Sequence, residues 1–149
     1  MGKVAKIGIS RNSGGRINEV LDVEAIQGKG LVNDRHFIDG NDAKSQITLI
    51  ERENIEYYNK KFKTNISEVN FRRNIVTEKI KLNNLVGKEF YIGNVKVKGR
   101  DLCRPCKHLQ ESLEQKNIVK EFLQKGGLRC EILSSGKIFV DDIIRYNND

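Results

Sequence analysis

Apolar residues along the chain come in short bursts, most of them alternating with polar ones. Glycine, asparagine and aspartate separate the bursts. This pattern predicts extended segments over residues 4–10, 19–26, 46–50, 70–77, 89–92, 95–100, 128–133, 138–140 and 143–146. Gly93-Asn94 suits the two-residue turn of a hairpin joining 89–92 to 95–100, with Val95 and Val97 facing the core and Lys96 and Lys98 facing solvent. The period changes at two places. Across 51–62, Ile55, Tyr58 and Phe62 recur at helical spacing, with Glu51 and Glu53 near the start and Lys60, Lys61 and Lys63 near the end, as a helix dipole favours. A second helix is expected from about Cys106 to Gln124, carrying Leu109, Leu113, Ile118, Phe122 and Leu123 and capped by Gly126-Gly127. With no repeat, linker or low-complexity tract, the expectation is one domain over 1–149. It is mainly β and barrel-like, with two or three peripheral helices.

Composition narrows the class. A chain of 149 residues, 38% hydrophobic and 32% charged, can bury a core. Its longest apolar runs fall far short of the roughly 20 residues of a membrane span. No apolar signal region follows Met1, so the expected compartment is the cytoplasm, where thiols are reduced. Three cysteines are an odd number, which argues against a secreted disulfide framework. The net charge of +7 comes from lysines spread along the chain, not gathered in a block, so nucleic acid is disfavoured as a partner.

The densest chemistry lies in residues 99–108. These include Cys103, Cys106, His108 and the single proline, with Arg100, Arg104 and Lys107 close in sequence to Cys106. Cations favour the reactive thiolate, which makes Cys106 the first candidate, with Arg104 as its supporting charge. The Cys103-x-x-Cys106 spacing also suits a redox pair. Together with His108 and Cys130 it makes a Cys₃His zinc set arithmetically possible. Against zinc, Cys130 shares a strand face with Leu128 and Ile132 and reads as a core thiol. Residues 70–76 offer Arg72 and Asn74 on one face of an extended segment and Arg73 on the other, a guanidinium–amide pair suited to an oxyanion. Residues 31–37 are polar-centred, and Asp34-Arg35-His36 could supply a titrating group; Gln46, before an apolar strand, could orient a ligand. The chain contains no glycine-rich nucleotide fingerprint.

These pieces, taken in order, resemble the MOSC domain found at the C-terminal end of molybdenum cofactor sulfurases. The likeness runs through Asn33-Asp34-Arg35-His36, Ser45-Gln46-Ile47-Thr48, Phe71-Arg72-Arg73-Asn74-Ile75, Arg104-Pro105-Cys106, Gly126-Gly127-Leu128-Arg129 and Asp141-Asp142, from about residue 4 to 146. It implies a β-barrel MOSC fold and a function as a stand-alone binder or sulfur carrier of the molybdenum cofactor (molybdopterin). The functional cysteine falls on Cys106, as molybdenum ligand or persulfide carrier; both roles stand at this stage. Arg72 and Asn74 would contact the pterin phosphate or the site wall, with His36 and Gln46 behind them. Partners implied are proteins that make or receive the cofactor, and a reductase. The pyridoxal-phosphate desulfurase domain of the sulfurases has no counterpart here, and no pyridoxal phosphate site is found. Asn33 and Asp141 stand where the family usually has glycine. The competing readings are a non-catalytic basic barrel for a pterin, a partner protein or RNA, and a zinc-stabilised domain.

Overall fold

Alternation organises the first strand, β1 (Gly2–Ile9), whose Val4 and Ile7 are fully buried. A register shift between Val4 and Lys6, opposite the later strand Ile75–Glu78, keeps both inside despite their odd spacing. The computed structural model describes residues 1–12 and 15–146. Three short strands follow: β2 (Asn18–Val20), β3 (Asp22–Ile26) and β4 (Gly30–Leu31). A polar loop then leads to β5 (Ile47–Glu51), α1 (Arg52–Phe62) and β6 (Ile75–Glu78). The hairpin is β7 (Glu89–Ile92) and β8 (Val95–Leu102), turning at Gly93-Asn94 with Ile92 opposite Val95 as its spacing predicts. Two short helices, α2 (Lys107–Ser112) and α3 (Ile118–Glu121), precede β9 (Leu128–Ile132), β10 (Gly136–Phe139) and β11 (Ile143–Arg145).

Seven strands close into a barrel in the order β11-β7-β8-β9-β5-β6-β1, and β1 pairs back onto β11. β2 hangs on β1 outside the ring, and β10-β3-β4 form a separate small sheet. β5 and β6 run parallel, which requires a crossover; α1 supplies it. The interior is apolar: Val4, Ile47, Leu49, Ile75, Ile92, Val97, Leu128 and Ile144 are fully buried, and so is Cys130. Each such branched side chain stabilises the fold by about 1.5–3 kcal/mol relative to exposure. A second core lies outside the barrel. Ile55 and Tyr58 of α1, Leu109 of α2, and Ile118 and Phe122 at α3 cover Ile50 and Val76 on the outer face of β5 and β6. Ring centroids stand 5.0 Å apart for Phe71–Phe122 and 5.6 Å for Tyr58–Phe122. Among the described residues no helix is long and apolar enough to cross a membrane.

Three segments depart from expectation. The helix expected over 106–124 is broken, because Glu114 takes a left-handed φ of 55° and the chain restarts at α3. Gly126-Gly127 therefore caps no long helix. A Cβ at Gly127, where φ is 113°, would collide with the Leu49 carbonyl oxygen, so close backbone approach explains this glycine. The strand expected over 70–77 begins only at Ile75. Residues Glu68–Phe71 form a 3-10 turn, and Arg72 caps it with a left-handed φ of 64°. Asn33 and Asp141, at positions where glycine was expected by resemblance, also take positive φ, 72° and 76°. Both residue types tolerate that region.

Candidate functional site

The left-handed Arg72 changes the geometry of its neighbours. In a strand, Arg72 and Arg73 would point to opposite faces. Here Arg72, Arg73 and Asn74 all line one cavity of about 210 Å³. Arg35 and His36 from the polar loop, Lys44 and Ser45 before β5, Thr48 of β5, Arg129 of β9 and Cys103 complete the wall. Four arginines and one lysine thus line this space, and among the described residues its lining includes no carboxylate.

How Cys103 reaches that wall follows from register. Val95 and Val97 of β8 point into the barrel, and Gly99 lies opposite Cys130, whose side chain is also inside. Between Gly99 and Asp101 the pairing shifts by one residue, so Asp101 meets Arg129 and Leu102 meets buried Leu128. The extra residue, Arg100, reverses the alternation and turns odd-numbered positions outward, toward Arg129. Cys103 follows on that side, its N–H donating to the Gly127 carbonyl at 2.7 Å.

Polar contacts hold the wall rigid. Asn74 is buried and spends its amide on the scaffold. Its Oδ1 accepts from the Thr48 N–H at 3.1 Å and from Thr48 Oγ1 at 3.2 Å, and its Nδ2 donates to the Gly8 carbonyl at 3.2 Å. It therefore positions the site and ties β1 to β5. Asp34 is buried beneath the cations. It accepts from the Ser10 N–H at 3.0 Å, lies 3.5 Å from His36 Nδ1, and is 3.8 Å from an Arg35 nitrogen. Burial pushes its carboxyl up, but the His36 and Ser10 hydrogen bonds and the Arg35 charge outweigh it and hold the group below the usual range. Arg73 Nε donates to the Gly126 carbonyl at 2.9 Å. Lys44 Nζ stands 3.8 Å from an Asp101 oxygen.

Arg72 is the least satisfied member. Its Nη1 donates to the Gly15 carbonyl at 2.8 Å, while its Nη2 is buried and has no partner among the described residues. Burial and the adjacent Arg35 charge push this guanidinium below its ordinary pKa. A half-buried cation beside like charges favours an incoming anion.

The three cysteines separate cleanly. Cys130 is sealed in the barrel, and burial pushes its thiol far up. Cys103 is buried against the cavity wall; burial raises its pKa, and Arg73 and Arg129 partly offset this. Cys106 is exposed, and its Sγ accepts from the Leu109 N–H at 3.3 Å at the start of α2. It does not line the arginine cavity. Of the cations near it in sequence, Arg100 is ion-paired with Glu131, and Arg104 is exposed and outside the cavity wall. Gln46 is also outside it: buried, it accepts from the Ile132 N–H at 2.8 Å and donates to the Asn41 carbonyl at 3.2 Å. Among the described residues no three His, Cys, Asp or Glu side chains converge to hold a metal ion.

Of the residues singled out from sequence, the cavity gathers His36, Arg72 and Asn74 and leaves out Gln46, Arg104 and Cys106. Lys44, Thr48, Arg129 and the cavity-facing role of Cys103 were not foreseen. The one signal for Arg129 and Thr48 was a polar residue flanked by inward-facing apolar ones on a barrel strand; they sit opposite each other across β5 and β9.

Comparisons with known proteins agree with the architecture. The family model described as MOSC domain matches residues 32–145. No curated protein matches the chain by sequence. The crystal structure of YuaD from Bacillus subtilis is similar, with a TM-score of 0.81 at 16% identity, covering 97% of this chain and 94% of that one. YiiM from Geobacillus stearothermophilus gives 0.78 at 15% identity, covering 99% and 76%; YiiM from Escherichia coli gives 0.70 at 18%, covering 99% and 69%. At these identities the likeness is one of fold.

Proposed function

The chain belongs to the MOSC domain family, a family associated with the molybdenum cofactor, and from that premise we propose that its arginine cavity holds the anionic end of that cofactor. The observation that carries this reading is the wall itself: Arg35, Arg72, Arg73, Arg129 and Lys44 gather around one cavity. A phosphate monoester is a dianion with several acceptor oxygens, and guanidinium groups are its natural complement. A cavity of about 210 Å³ is smaller than the roughly 300–1,000 Å³ typical of sites that enclose a whole organic ligand, so it suits one end of such a molecule.

Each residue then has a task. Arg72 supplies positive charge from the wall. Arg35 and Arg129 neutralise the remaining charge. Asp34 orients Arg35 and His36 from below, and Asn74 keeps β1 and β5 in place around the wall. Cys106, the position to which the family's functional cysteine maps, would hold the metal or carry a persulfide, thiolate being a soft ligand. When bound, the cofactor would supply a thiophilic, redox-active metal. The direct test is to express the protein in cells that make the cofactor and assay released pterin and molybdenum. Pterin and metal should co-purify with the wild type. Arg72→Gln should lose both, and Cys106→Ser should lose metal while retaining pterin. A wild-type protein free of pterin would overturn the reading.

A further inference from the structure

The cavity wall places a thiol inside an oxyanion site, a combination the cofactor reading does not use. We propose that Cys103 accepts a sulfane sulfur from a small thiosulfate-class donor held by the arginine wall.

Three features support this. The space of about 210 Å³ admits a small tetrahedral oxyanion. Among the nucleophiles of the wall, the Thr48 hydroxyl is committed, donating to Asn74 Oδ1 at 3.2 Å and accepting from the Asn74 N–H at 3.1 Å. Cys103 is the soft nucleophile that faces the same space as Arg72, Arg73 and Arg129. Those guanidinium groups are also suited to stabilise the charge on a departing sulfite.

The step balances without a further reagent. The Cys103 thiolate attacks the outer sulfur of thiosulfate; an S–S bond forms to Cys103, and the bond from that sulfur to the SO₃ group breaks. The electron pair leaves with sulfite, and the products are a Cys103 persulfide and the sulfite dianion. An added nucleophile such as cyanide then removes the outer sulfur as thiocyanate and restores the thiolate. Because burial raises the Cys103 pKa, with Arg73 and Arg129 pulling the other way, the rate should climb with pH through the alkaline range.

The proposal rests on the cavity being an oxyanion site, and the experiment separates the two claims. The full chain is mixed with thiosulfate; sulfite release and the mass of the Cys103 peptide are followed, then thiocyanate turnover with cyanide. A parallel calorimetric titration uses sulfate alone. The wild type should release sulfite and gain one sulfur atom on Cys103. Cys103→Ser should lose at least about a hundredfold in turnover. Arg129→Gln should raise KM for thiosulfate about tenfold, the size expected for one charge-assisted contact. Sulfate binding without sulfite release or mass gain would overturn the transfer step and leave the anion site standing. Absence of sulfate binding would overturn both. Loss of activity in Cys106→Ser with retention in Cys103→Ser would overturn the assignment to Cys103.

Discussion

Asp101 lies opposite Arg129 across β8 and β9, although Gly99, two residues earlier, lies opposite Cys130, the immediate neighbour of Arg129. One inserted residue, Arg100, accounts for the mismatch. It separates a thiol sealed in the barrel, Cys130, from one facing a cationic cavity, Cys103. The chemistry of the site depends on this bulge.

Thiol reactivity should follow that division. Cys106, exposed, should react first with iodoacetamide. Cys103 should react slowly and faster as pH rises, because burial raises its pKa. Cys130 should react only on unfolding. Peptide mapping of a labelling time course gives the order. Sulfate or phosphate should protect Cys103 and leave Cys106 unaffected; equal labelling of Cys103 and Cys130 would contradict the geometry.

Gly127→Ala should destabilise by about 3 kcal/mol or more, since it combines a disfavoured φ with a clash against backbone. Gly28→Ala is the control. Its φ is 76° but nothing lies within 4 Å of an added Cβ, so about 1 kcal/mol is expected. Urea unfolding of both variants measures the difference.

Glu51 is buried, and its carboxylate accepts from the Leu82 N–H at 3.2 Å. Burial raises its pKa above the ordinary glutamate value of 4.5. A raised carboxyl means the folded state holds its proton longer, so its contribution to stability falls as pH rises from about 4.5 through the folded value. Glu51→Gln should therefore gain stability relative to wild type at neutral pH and lose that advantage below about 4.5. Urea midpoints across pH provide the check.

Asp34 carries the opposite sign. Its folded pKa is held below the ordinary aspartate value of 3.8, so its stabilisation is present above that value and disappears as pH falls through the lower folded one. Asp34→Asn should be less stable than wild type at neutral pH by about 1–3 kcal/mol, the cost of losing charge-assisted hydrogen bonds, and the two should converge in acid. Thermal unfolding followed from pH 7 downward tests it.

Much of the scaffold was legible because it depends on local pattern. The hairpin at Gly93-Asn94, α1 with Ile55 and Tyr58 on its buried face, and the buried Cys130 all follow from spacing and turn chemistry. The site was harder to read because two one-residue events set it. Arg72 leaves the strand region, which brings Arg72 and Arg73 to the same cavity. The bulge at Arg100 puts Cys103 on the same side as Arg129. Neither a left-handed arginine nor a bulge leaves a mark in hydrophobic periodicity. Charge counted by sequence proximity therefore favoured Cys106, while the folded chain gathers four arginines around the cavity that Cys103 lines.

The claim beneath all of this is that the cavity recognises an oxyanion through Arg72, and calorimetric titration of inorganic phosphate into wild type and Arg72→Gln tests it most directly. Saturable binding to the wild type that weakens as salt rises and about tenfold or more in the variant, with stability changed by less than about 1 kcal/mol, is the expected result. No binding, or equal binding to both proteins, would contradict it.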